Sequence, residues 1–264
     1  MIIIVGMPRS GTTLVANILG QSKLVKVLIE PHILWRTDNF NYFNDDEYNI
    51  SLKIINRIRS RFYEYANGKI LVEKSPINCV RAKLVYKTFP NAKIVFLERN
   101  KIDCINSNYI RSCKKDSFKF SIIFKKYFHK YNDTGLEYSS KTMSIFKQLY
   151  FSDIIYFIVF LFKSFYYRNF LGSLPFGPKI KGFLKIINKN GLRFYHSIVY
   201  EMSRKNKLFL KKKYKENFCS FNFEEFYKND NEIKKLYDFC GLSINENQVK
   251  KIFKKIDRNR FVKN

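Results

Sequence analysis

Short apolar runs alternate with polar, glycine-containing loops along the first part of the chain. Residues 2–5, Ile-Ile-Ile-Val, form an apolar, β-branched run, which predicts a strand buried on both faces, as in a parallel sheet. Apolar residues then recur with helical spacing over residues 14–19. Between the two lies a glycine-bounded segment, residues 6–13. The pattern therefore predicts a strand, a loop and a helix, in that order.

The same alternation continues along the chain and indicates the fold class. Three more apolar runs predict strands at 26–29, 70–72 and 92–97. Helical spacing predicts helices at about 50–65, from Pro76 through Val85, near 117–131, and at about 140–170, 191–211, 230–240 and 249–256. Strands that alternate with helices are typical of an α/β fold around a parallel sheet. A length of 264 residues suits one such domain, 1–264, with a helical insertion at about 110–190.

Two polar segments outside these elements have weaker signals. Residues 45–47, Asp-Asp-Glu, precede the helix predicted from about residue 50, and carboxylates favour that end of a helix. We therefore predict a solvated helix start there, with no role in chemistry. Residues 176–182, Phe-Gly-Pro-Lys-Ile-Lys-Gly, predict a turn. Lys179 in this turn is either a contact to a substrate or part of a plain surface turn.

The charge of the chain is strongly positive. It contains 49 lysines and arginines against 22 acidic residues, for a net charge of +27. Such a surface attracts nucleotides, acidic glycans, nucleic acids or anionic lipid headgroups, and charge alone does not choose among them. The longest apolar run, residues 154–162, has about half the length that a membrane-spanning helix needs. We expect a cytoplasmic protein, and the charge leaves open a peripheral contact with an anionic membrane.

The five cysteines indicate neither a disulfide framework nor a zinc site. Their number is odd, and no two of them form a Cys-x-x-Cys pair. This usage suits a reducing compartment, and no secretory signal precedes the first predicted strand. The sequence therefore predicts no metal site, and it does not indicate an oligomeric state.

Residues 6–13, Gly-Met-Pro-Arg-Ser-Gly-Thr-Thr, have the features of an anion-binding loop. A loop that opens a helix presents backbone N–H groups, and together with the helix N-terminus these bind anions. Gly6 and Gly11 have the spacing of the Walker phosphate loop, but Thr12 stands where that loop carries its lysine. Arg9 is the cation of this segment, and its guanidinium suits a terminal phosphate or sulfonate group.

Candidate side chains also follow the later predicted strands. Glu30 and His32 follow the second strand, Lys74 follows the third, and Arg99 follows the fourth. Open α/β sheets bind their ligands at these carboxyl ends. A carboxylate or an imidazole at that edge can accept a proton, and cations there can stabilise anionic charge. A further helix is expected after the fourth strand, and Ser107 lies on it, eight residues after Arg99, where its hydroxyl can face the same phosphate.

Three of these segments together resemble the sulfotransferases that use 3′-phosphoadenosine 5′-phosphosulfate (PAPS) as the sulfuryl donor. Pro-Arg-Ser-Gly-Thr-Thr at 8–13 is similar to the 5′-phosphosulfate loop, in the arginine-bearing form of the protein-tyrosine and bacterial carbohydrate branches. Glu-Lys-Ser-Pro at 73–76 resembles a second family segment, and the pair Arg99 and Ser107 resembles a third. The resemblance implies a three-layer, P-loop-like fold with a central parallel sheet flanked by helices.

The resemblance also implies a role for each candidate residue. The 5′-phosphosulfate of PAPS would be held by Arg9, Ser10, Gly11, Thr12, Thr13 and Lys74. Arg99 and Ser107 would bind the 3′-phosphate, although Asn100 and Lys101 replace the Asp-Pro pair that usually follows this arginine. Glu30, twenty-one residues after Arg9, would take the proton of the acceptor, with His32 as the alternative base. Arg9 and Lys74 would stabilise the leaving phosphate, and no metal ion is implied.

The sequence leaves the acceptor and two other functions open. By analogy with the family, we expect the acceptor to be a hydroxyl group of a carbohydrate or glycan, and we expect no specific nucleic-acid partner. One alternative is a phosphate-loop nucleotide or sugar kinase, but the loop lysine and a convincing strand-end aspartate for Mg²⁺ are missing. The other is a non-enzymatic basic protein, whose binding to polyanions would depend strongly on salt.

Overall fold

A parallel sheet forms the centre of the protein. The computed structural model describes residues 1–37, 44–46, 50–113, 151–170 and 175–256. The strands of this described part are β1 (Ile2–Gly6), β2 (Val25–Ile29), β3 (Ile70–Lys74), β4 (Lys93–Glu98) and β5 (Phe218–Asn222). Their order across the sheet is β2-β3-β1-β4-β5, and all neighbours are parallel. The carboxyl ends of the strands therefore lie along one edge of the sheet.

Helices cover both faces of the sheet. They are α1 (Thr12–Leu19), α2 (His32–Trp35), α3 (Leu52–Ala66), α4 (Ala82–Thr88), α5 (Lys101–Cys113), α6 (Phe151–Phe170), α7 (Phe183–Tyr214), α8 (Glu225–Lys228), α9 (Asn231–Cys240) and α10 (Glu246–Lys255). Short 3₁₀ turns occur at Pro76–Cys79 and Lys215–Asn217. Among the described residues, no helix is both long enough and apolar enough to cross a bilayer.

Alternate residues of the strands supply two separate cores. On one face, Ile3 and Val5 of β1 pack with buried residues of α3, α4 and α7. On the other face, Ile2 and Ile4 pack with buried residues of α1, α9 and α10. The period of two follows from the pleat of a strand, and the fully apolar run at the start of the chain is thereby explained. The predicted three-layer α/β fold with a central parallel sheet is confirmed.

The elements predicted within the described residues occur, with shifts at several of their ends. Lys74 is the last residue of β3 rather than the residue after it. Pro76 opens a 3₁₀ turn, and the helix expected to start there begins at Ala82. The helix predicted from 191 begins at Phe183, because Gly191 (φ 82°, ψ 169°) is a kink inside α7 and not its start. The helix predicted near 117–131 and the stretch 140–150 lie outside the described residues.

The prediction of a solvated helix start at residues 45–47 is wrong for Asp45, and Glu47 lies outside the described residues. Asp45 is buried, and its carboxylate accepts a hydrogen bond of 2.5 Å from the guanidinium of Arg36. The same carboxylate accepts the backbone N–H of Lys179 at 2.7 Å, and Asp46 accepts that of Lys181 at 3.0 Å. Helix α3 begins only at Leu52. The two aspartates therefore anchor residues 179–181, at the end of the segment 175–180, which we call the 175–180 loop.

Candidate functional site

The predicted site residues gather at the carboxyl edge of the sheet. Glu30 follows β2, and Lys74 ends β3. The anion-binding loop follows β1, and Arg99 follows β4. We call residues 7–13 the phosphate loop. Because β3 and β4 flank β1, the phosphate loop lies between Lys74 and Arg99, at the edge where open α/β sheets bind ligands.

Two glycines let the phosphate loop pack closely against its surroundings. Gly11 has a φ of 89°, and a Cβ built on it would lie 1.9 Å from a ring carbon of Phe223. A Cβ on Gly6 would lie 2.6 Å from Ser10 Oγ and 2.9 Å from the carbonyl oxygen of Leu97. All three contacts are too short for a side chain at either position. The spacing of the two glycines therefore reflects close packing on both sides of the loop.

The interior of the phosphate loop presents polar groups. Ser10 is 1% exposed, and its hydroxyl has no hydrogen-bond partner among the described residues. The Ser10 N–H donates to the carbonyl of Met7 at 3.0 Å, which closes the loop on itself. Helix α1 then starts at Thr12, with Thr12 buried and Thr13 exposed. A buried hydroxyl without a partner beside a helix N-terminus suits an anion that accepts hydrogen bonds.

Arg9, Arg99 and Ser107 meet on the β4 side of the loop. Arg9 is exposed, has a φ of 70°, and donates from Nε to Ser107 Oγ at 3.1 Å. Arg99 donates from Nη1 to the backbone carbonyl of Arg9 at 2.8 Å. The Arg99 guanidinium also lies 5.3 Å from the ring centroid of Phe223, the residue that packs on Gly11. Two residues expected at the 3′-phosphate thus contact the arginine expected at the sulfonate.

Glu30, His32 and Lys74 form a second group at the β2–β3 side. Lys74 Nζ lies 3.2 Å from Glu30 Oε1, and His32 Nε2 lies 3.5 Å from Glu30 Oε2. The side chain of Lys74 is 4% exposed and that of Glu30 is 25% exposed. Lys74 is therefore not a surface lysine. Its ammonium group is the ion-pair partner of the carboxylate that is the candidate proton acceptor.

The backbone of Glu30 has an unusual conformation. Its φ is 55°, in the left-handed region that costs a non-glycine residue on the order of 1 kcal/mol. Two hydrogen bonds of 2.7 Å hold it there: Glu30 N–H donates to the carbonyl of Lys74, and His32 N–H donates to that of Glu30. Such conformations concentrate at functional sites, so the backbone independently marks Glu30 as a candidate.

A buried network beneath this group was not predicted. Glu73 is fully buried, and its two oxygens accept from Trp35 Nε1 at 2.8 Å and from Asn78 Nδ2 at 2.6 Å. Arg81 donates to Asn78 Oδ1 at 2.7 Å and lies 4.3 Å from the centre of the Trp35 ring. Burial raises the pKa of Glu73, while Arg81 and the hydrogen bonds oppose that shift. The network ties α2, which carries His32, to β3, which carries Lys74.

The described residues offer no ready site for a metal ion. Within them, no three His, Cys, Asp or Glu side chains are grouped so as to hold one. Glu98 is the acidic residue at the end of β4, next to the phosphate loop. Its carboxylate lies 2.6 Å from the ammonium group of Lys207, so it is already neutralised by a cation.

Comparison with known proteins agrees with this architecture. The sequence model described as the sulfotransferase family matches residues 2–153. An uncharacterized protein of Aquifex aeolicus (strain VF5) is 28% identical over 151 residues, which cover 50% of this chain and 20% of that protein. The chain thus spans about a fifth of the length of that relative.

Two solved structures with this fold are similar along nearly the whole chain. One is the sulfotransferase domain from the curacin biosynthetic pathway, with a TM-score of 0.52 and 14% identity, covering 96% of this chain and 77% of that one. The other is the sulfotransferase domain from the Synechococcus PCC 7002 olefin synthase, with a TM-score of 0.51 and 14% identity, covering 94% and 75%. At such identities the likeness concerns the fold alone. The family match, however, covers more than half of the sequence and includes β1 to β4 with the residues at their ends. The chain therefore belongs to the sulfotransferase family, whose reaction is the transfer of a sulfuryl group from a donor to an acceptor.

Proposed function

We propose that this protein transfers a sulfuryl group from PAPS to an acceptor hydroxyl, with Glu30 as the general base. One observation carries the proposal. The phosphate loop, which carries Arg9, has a proton acceptor with an ammonium partner on one side, Glu30 and Lys74, and a phosphate-binding pair on the other, Arg99 and Ser107. A donor with a phosphosulfate at one end and a phosphate at the other needs anion-binding groups at two places, and this edge of the sheet supplies both.

The residues present fit the two anionic ends of PAPS. The buried, unpartnered hydroxyl of Ser10 and the N-terminus of α1 suit the 5′-phosphosulfate. Gly11, Thr12 and Thr13 supply the loop and helix N–H groups for this end. Arg99 and Ser107 suit the 3′-phosphate, because a guanidinium fork and a hydroxyl are good phosphate donors.

The proposed chemistry divides between a base and a set of fixed positive charges. As the acceptor oxygen forms its bond to sulfur, Glu30 takes the hydroxyl proton, and the bond from sulfur to the 5′-phosphate oxygen breaks. Negative charge then grows on the leaving phosphate. Lys74, Arg9 and the N–H groups of the phosphate loop stabilise it, because preorganised donors at a site of developing charge lower the barrier. The proposal needs no metal ion for this task.

His32 is the alternative base. Its Nε2 lies 3.5 Å from a carboxylate oxygen of Glu30, so both groups belong to one cluster. We assign the proton to Glu30 because the resemblance to the tyrosine-sulfating relatives implies it and because its backbone is strained. In this assignment His32 orients the carboxylate.

The acceptor is proposed by analogy, and one alternative function can be weighed against the geometry. We propose a carbohydrate or glycan hydroxyl as the acceptor, on the family resemblance alone. A phosphate-loop kinase would need an acidic strand-end residue to hold Mg²⁺. Glu98 stands at such a position, but the Lys207 ammonium pairs with it at 2.6 Å. This favours sulfuryl transfer over a kinase reaction.

A turnover assay tests the proposal. The purified protein is incubated with PAPS and separate sets of oligosaccharides, tyrosine peptides and phenols, and formation of adenosine 3′,5′-bisphosphate is measured by chromatography. We expect the bisphosphate to form only when an acceptor is present, and most strongly with oligosaccharides. A parallel reaction with ATP and Mg²⁺ is expected to give no phosphate transfer. Hydrolysis or transfer from ATP, without any reaction of PAPS, would overturn the assignment.

A further inference from the structure

A chain of buried, hydrogen-bonded side chains links the phosphate loop to helices α5 and α7. It consists of Asn108, Ser112 and His196, and we call it the relay. Asn108 is fully buried, and its Nδ2 donates to the carbonyl oxygen of Pro8 at 2.7 Å and to that of Cys104 at 2.8 Å. Cys104 Sγ also lies 3.5 Å from the Pro8 carbonyl oxygen. Pro8 belongs to the phosphate loop and directly precedes Arg9. The position of this loop peptide is therefore set by α5.

The Ser112 hydroxyl extends the relay to two other parts of the protein. It donates to the carbonyl of Asn108 at 2.9 Å, and it accepts the backbone N–H of Phe176 at 2.9 Å. It also lies 2.9 Å from Nε2 of His196 on α7. A single buried hydroxyl thus links α5, the 175–180 loop and α7.

The protons of the relay can be assigned by counting donors and acceptors. The carbonyl of Asn108 can only accept, so the one proton of the Ser112 hydroxyl is directed to it. The remaining contact then requires His196 to donate from Nε2–H. His196 is 1% exposed, and burial lowers its pKa to about 4. At neutral pH the ring is therefore uncharged, and with the Ser112 proton directed to Asn108 we assign the proton of the ring to Nε2.

The 175–180 loop also touches the phosphate loop directly. Gly177 has a φ of 90°, and a Cβ built on it would lie 2.6 Å from Cγ of Pro8. The hydroxyl of Tyr195 on α7 donates to the carbonyl of Pro178 at 2.5 Å and accepts the N–H of Ile180 at 3.1 Å. The 175–180 loop is thus hydrogen-bonded to Tyr195 of α7 and packs against Pro8. The relay lies where these two loops and the two helices converge.

We propose that Asn108, Ser112 and His196 are positioning residues that preset the phosphate loop for the donor. The inference rests on the proposed use of PAPS and adds residues to it. The mechanism follows from peptide planarity. The described backbone has no cis peptide bond, so the N–H of Arg9 points opposite to the carbonyl of Pro8 in the same peptide group. By holding that carbonyl against α5, the relay turns the Arg9 N–H away from α5.

This preset orientation matters because anion binding by a loop depends on the direction of its N–H groups. A peptide that rotates freely must be ordered when the ligand binds, and this ordering weakens affinity. Small misplacements of binding groups also lower the rate steeply. Disrupting the relay should therefore weaken donor binding and raise the KM for the donor, whereas the KM for the acceptor should not change.

Ser112→Ala tests the relay, with Ser197→Ala as its matched control. Ser197 is a helical serine on α7 whose hydroxyl also donates to a backbone carbonyl, that of Phe194 at 2.7 Å. We expect Ser112→Ala to weaken calorimetric binding of adenosine 3′,5′-bisphosphate about ten-fold and to raise the KM for PAPS similarly. The acceptor KM should stay within about two-fold of the wild-type value. Ser197→Ala should match the wild type in all three measurements.

A pair of substitutions at His196 gives a second test. His196→Gln keeps an N–H donor near the position of Nε2 and should bind the bisphosphate like the wild type. His196→Phe removes the donor and should weaken binding as Ser112→Ala does. Thermal unfolding first shows which variants are folded. If Ser112→Ala does not fold, the comparison of His196→Gln with His196→Phe decides the test.

The possible failures are distinguishable. If the wild type binds the bisphosphate and the folded variants bind it equally well, with only their melting temperatures lowered, the relay is merely structural and the inference is wrong. If the wild type itself does not bind the bisphosphate, the proposed function fails, and the inference fails with it.

Discussion

The two sides of the phosphate loop differ in how they hold their charged groups. On the β2–β3 side, the Lys74 side chain is 4% exposed and stands on a strand, with Glu30 attached to its backbone by a 2.7 Å hydrogen bond. On the β4 side, Arg9 is exposed and Arg99 is half-buried, and their contacts include a hydroxyl, a backbone carbonyl and an aromatic ring.

This difference suggests that one side acts mainly in the chemical step and the other mainly in binding the donor. A buried charge acts through a low dielectric and needs little reorganisation during reaction, so it can lower a barrier effectively. An exposed charge is screened by water and salt, so it contributes more to capture and selectivity than to the chemical step. We therefore expect substitutions of Glu30 and Lys74 to lower turnover. Substitutions of Arg99 and Ser107 should instead lower the affinity for the donor.

The largest expected effect is at the base. Glu30→Gln keeps the shape of the side chain but removes its ability to accept a proton, so kcat should fall about 10²- to 10⁴-fold. Binding of adenosine 3′,5′-bisphosphate should change little. Steady-state kinetics and calorimetry measure the two quantities. If His32→Ala instead causes the larger loss of kcat while Glu30→Gln stays active, His32 is the base.

The next effect is at the buried ammonium group. Lys74→Ala removes a fixed cation from the site of developing charge and should lower kcat about 10²- to 10³-fold. Lys26→Ala is the matched control, since Lys26 is a buried lysine near the start of β2, with its ammonium group 4.8 Å from the ring centroid of Tyr65. The role of Lys74 would be refuted if Lys74→Ala kept near-normal turnover and changed kcat no more than Lys26→Ala does.

Arg9 tests whether the two sides are as separate as the comparison suggests. Its side chain contacts Ser107 at 3.1 Å, although its proposed role is at the leaving phosphate. Arg9→Ala should therefore lower kcat about 10²-fold and, unlike Lys74→Ala, also weaken binding of the bisphosphate about ten-fold. Kinetics and calorimetry on the same preparations check this. An Arg9→Ala variant with unchanged turnover would contradict its placement in the reaction.

The smallest effect concerns stability and not turnover. The pKa of His196 is lowered from 6.5 to about 4 by burial, so between these values the unfolded chain binds a proton that the folded chain does not. Stability from this residue is full above pH 6.5 and declines as the pH falls, by about 2–3 kcal/mol at about pH 4.5. Urea unfolding at about pH 7.5 and about pH 4.5 should show a smaller decline for His196→Gln. An equal decline in both proteins would contradict the burial of a neutral His196.

Local patterns in the sequence predicted the strands β1 to β4 and the polar residues at their ends. A β-branched run marks a buried strand, and the residue after such a run lies at the sheet edge whatever the rest of the chain does. Glu30, Lys74 and Arg99 could therefore be placed at one edge before the structure was known. Their distances could not be predicted, because each depends on how neighbouring strands pair.

Contacts between distant residues had no such signal. Ser112 and His196 are 84 positions apart, and Trp35 and Glu73 are 38 positions apart. No periodicity relates such pairs, since they meet only when helices pack on the sheet. Asp45 was assigned to solvent for the same reason: its partners Arg36 and Lys179 surround it only in the folded chain.

The most direct test of the account is the selectivity of the donor site. Calorimetry compares adenosine 3′,5′-bisphosphate with adenosine 5′-monophosphate, using the wild type, Arg99→Ala and, as control, Arg204→Ala, which alters an exposed arginine on α7. We predict that the wild type and Arg204→Ala prefer the bisphosphate about ten-fold or more, and that Arg99→Ala loses this preference. Equal affinity of the wild type for the two nucleotides would contradict a site built for PAPS.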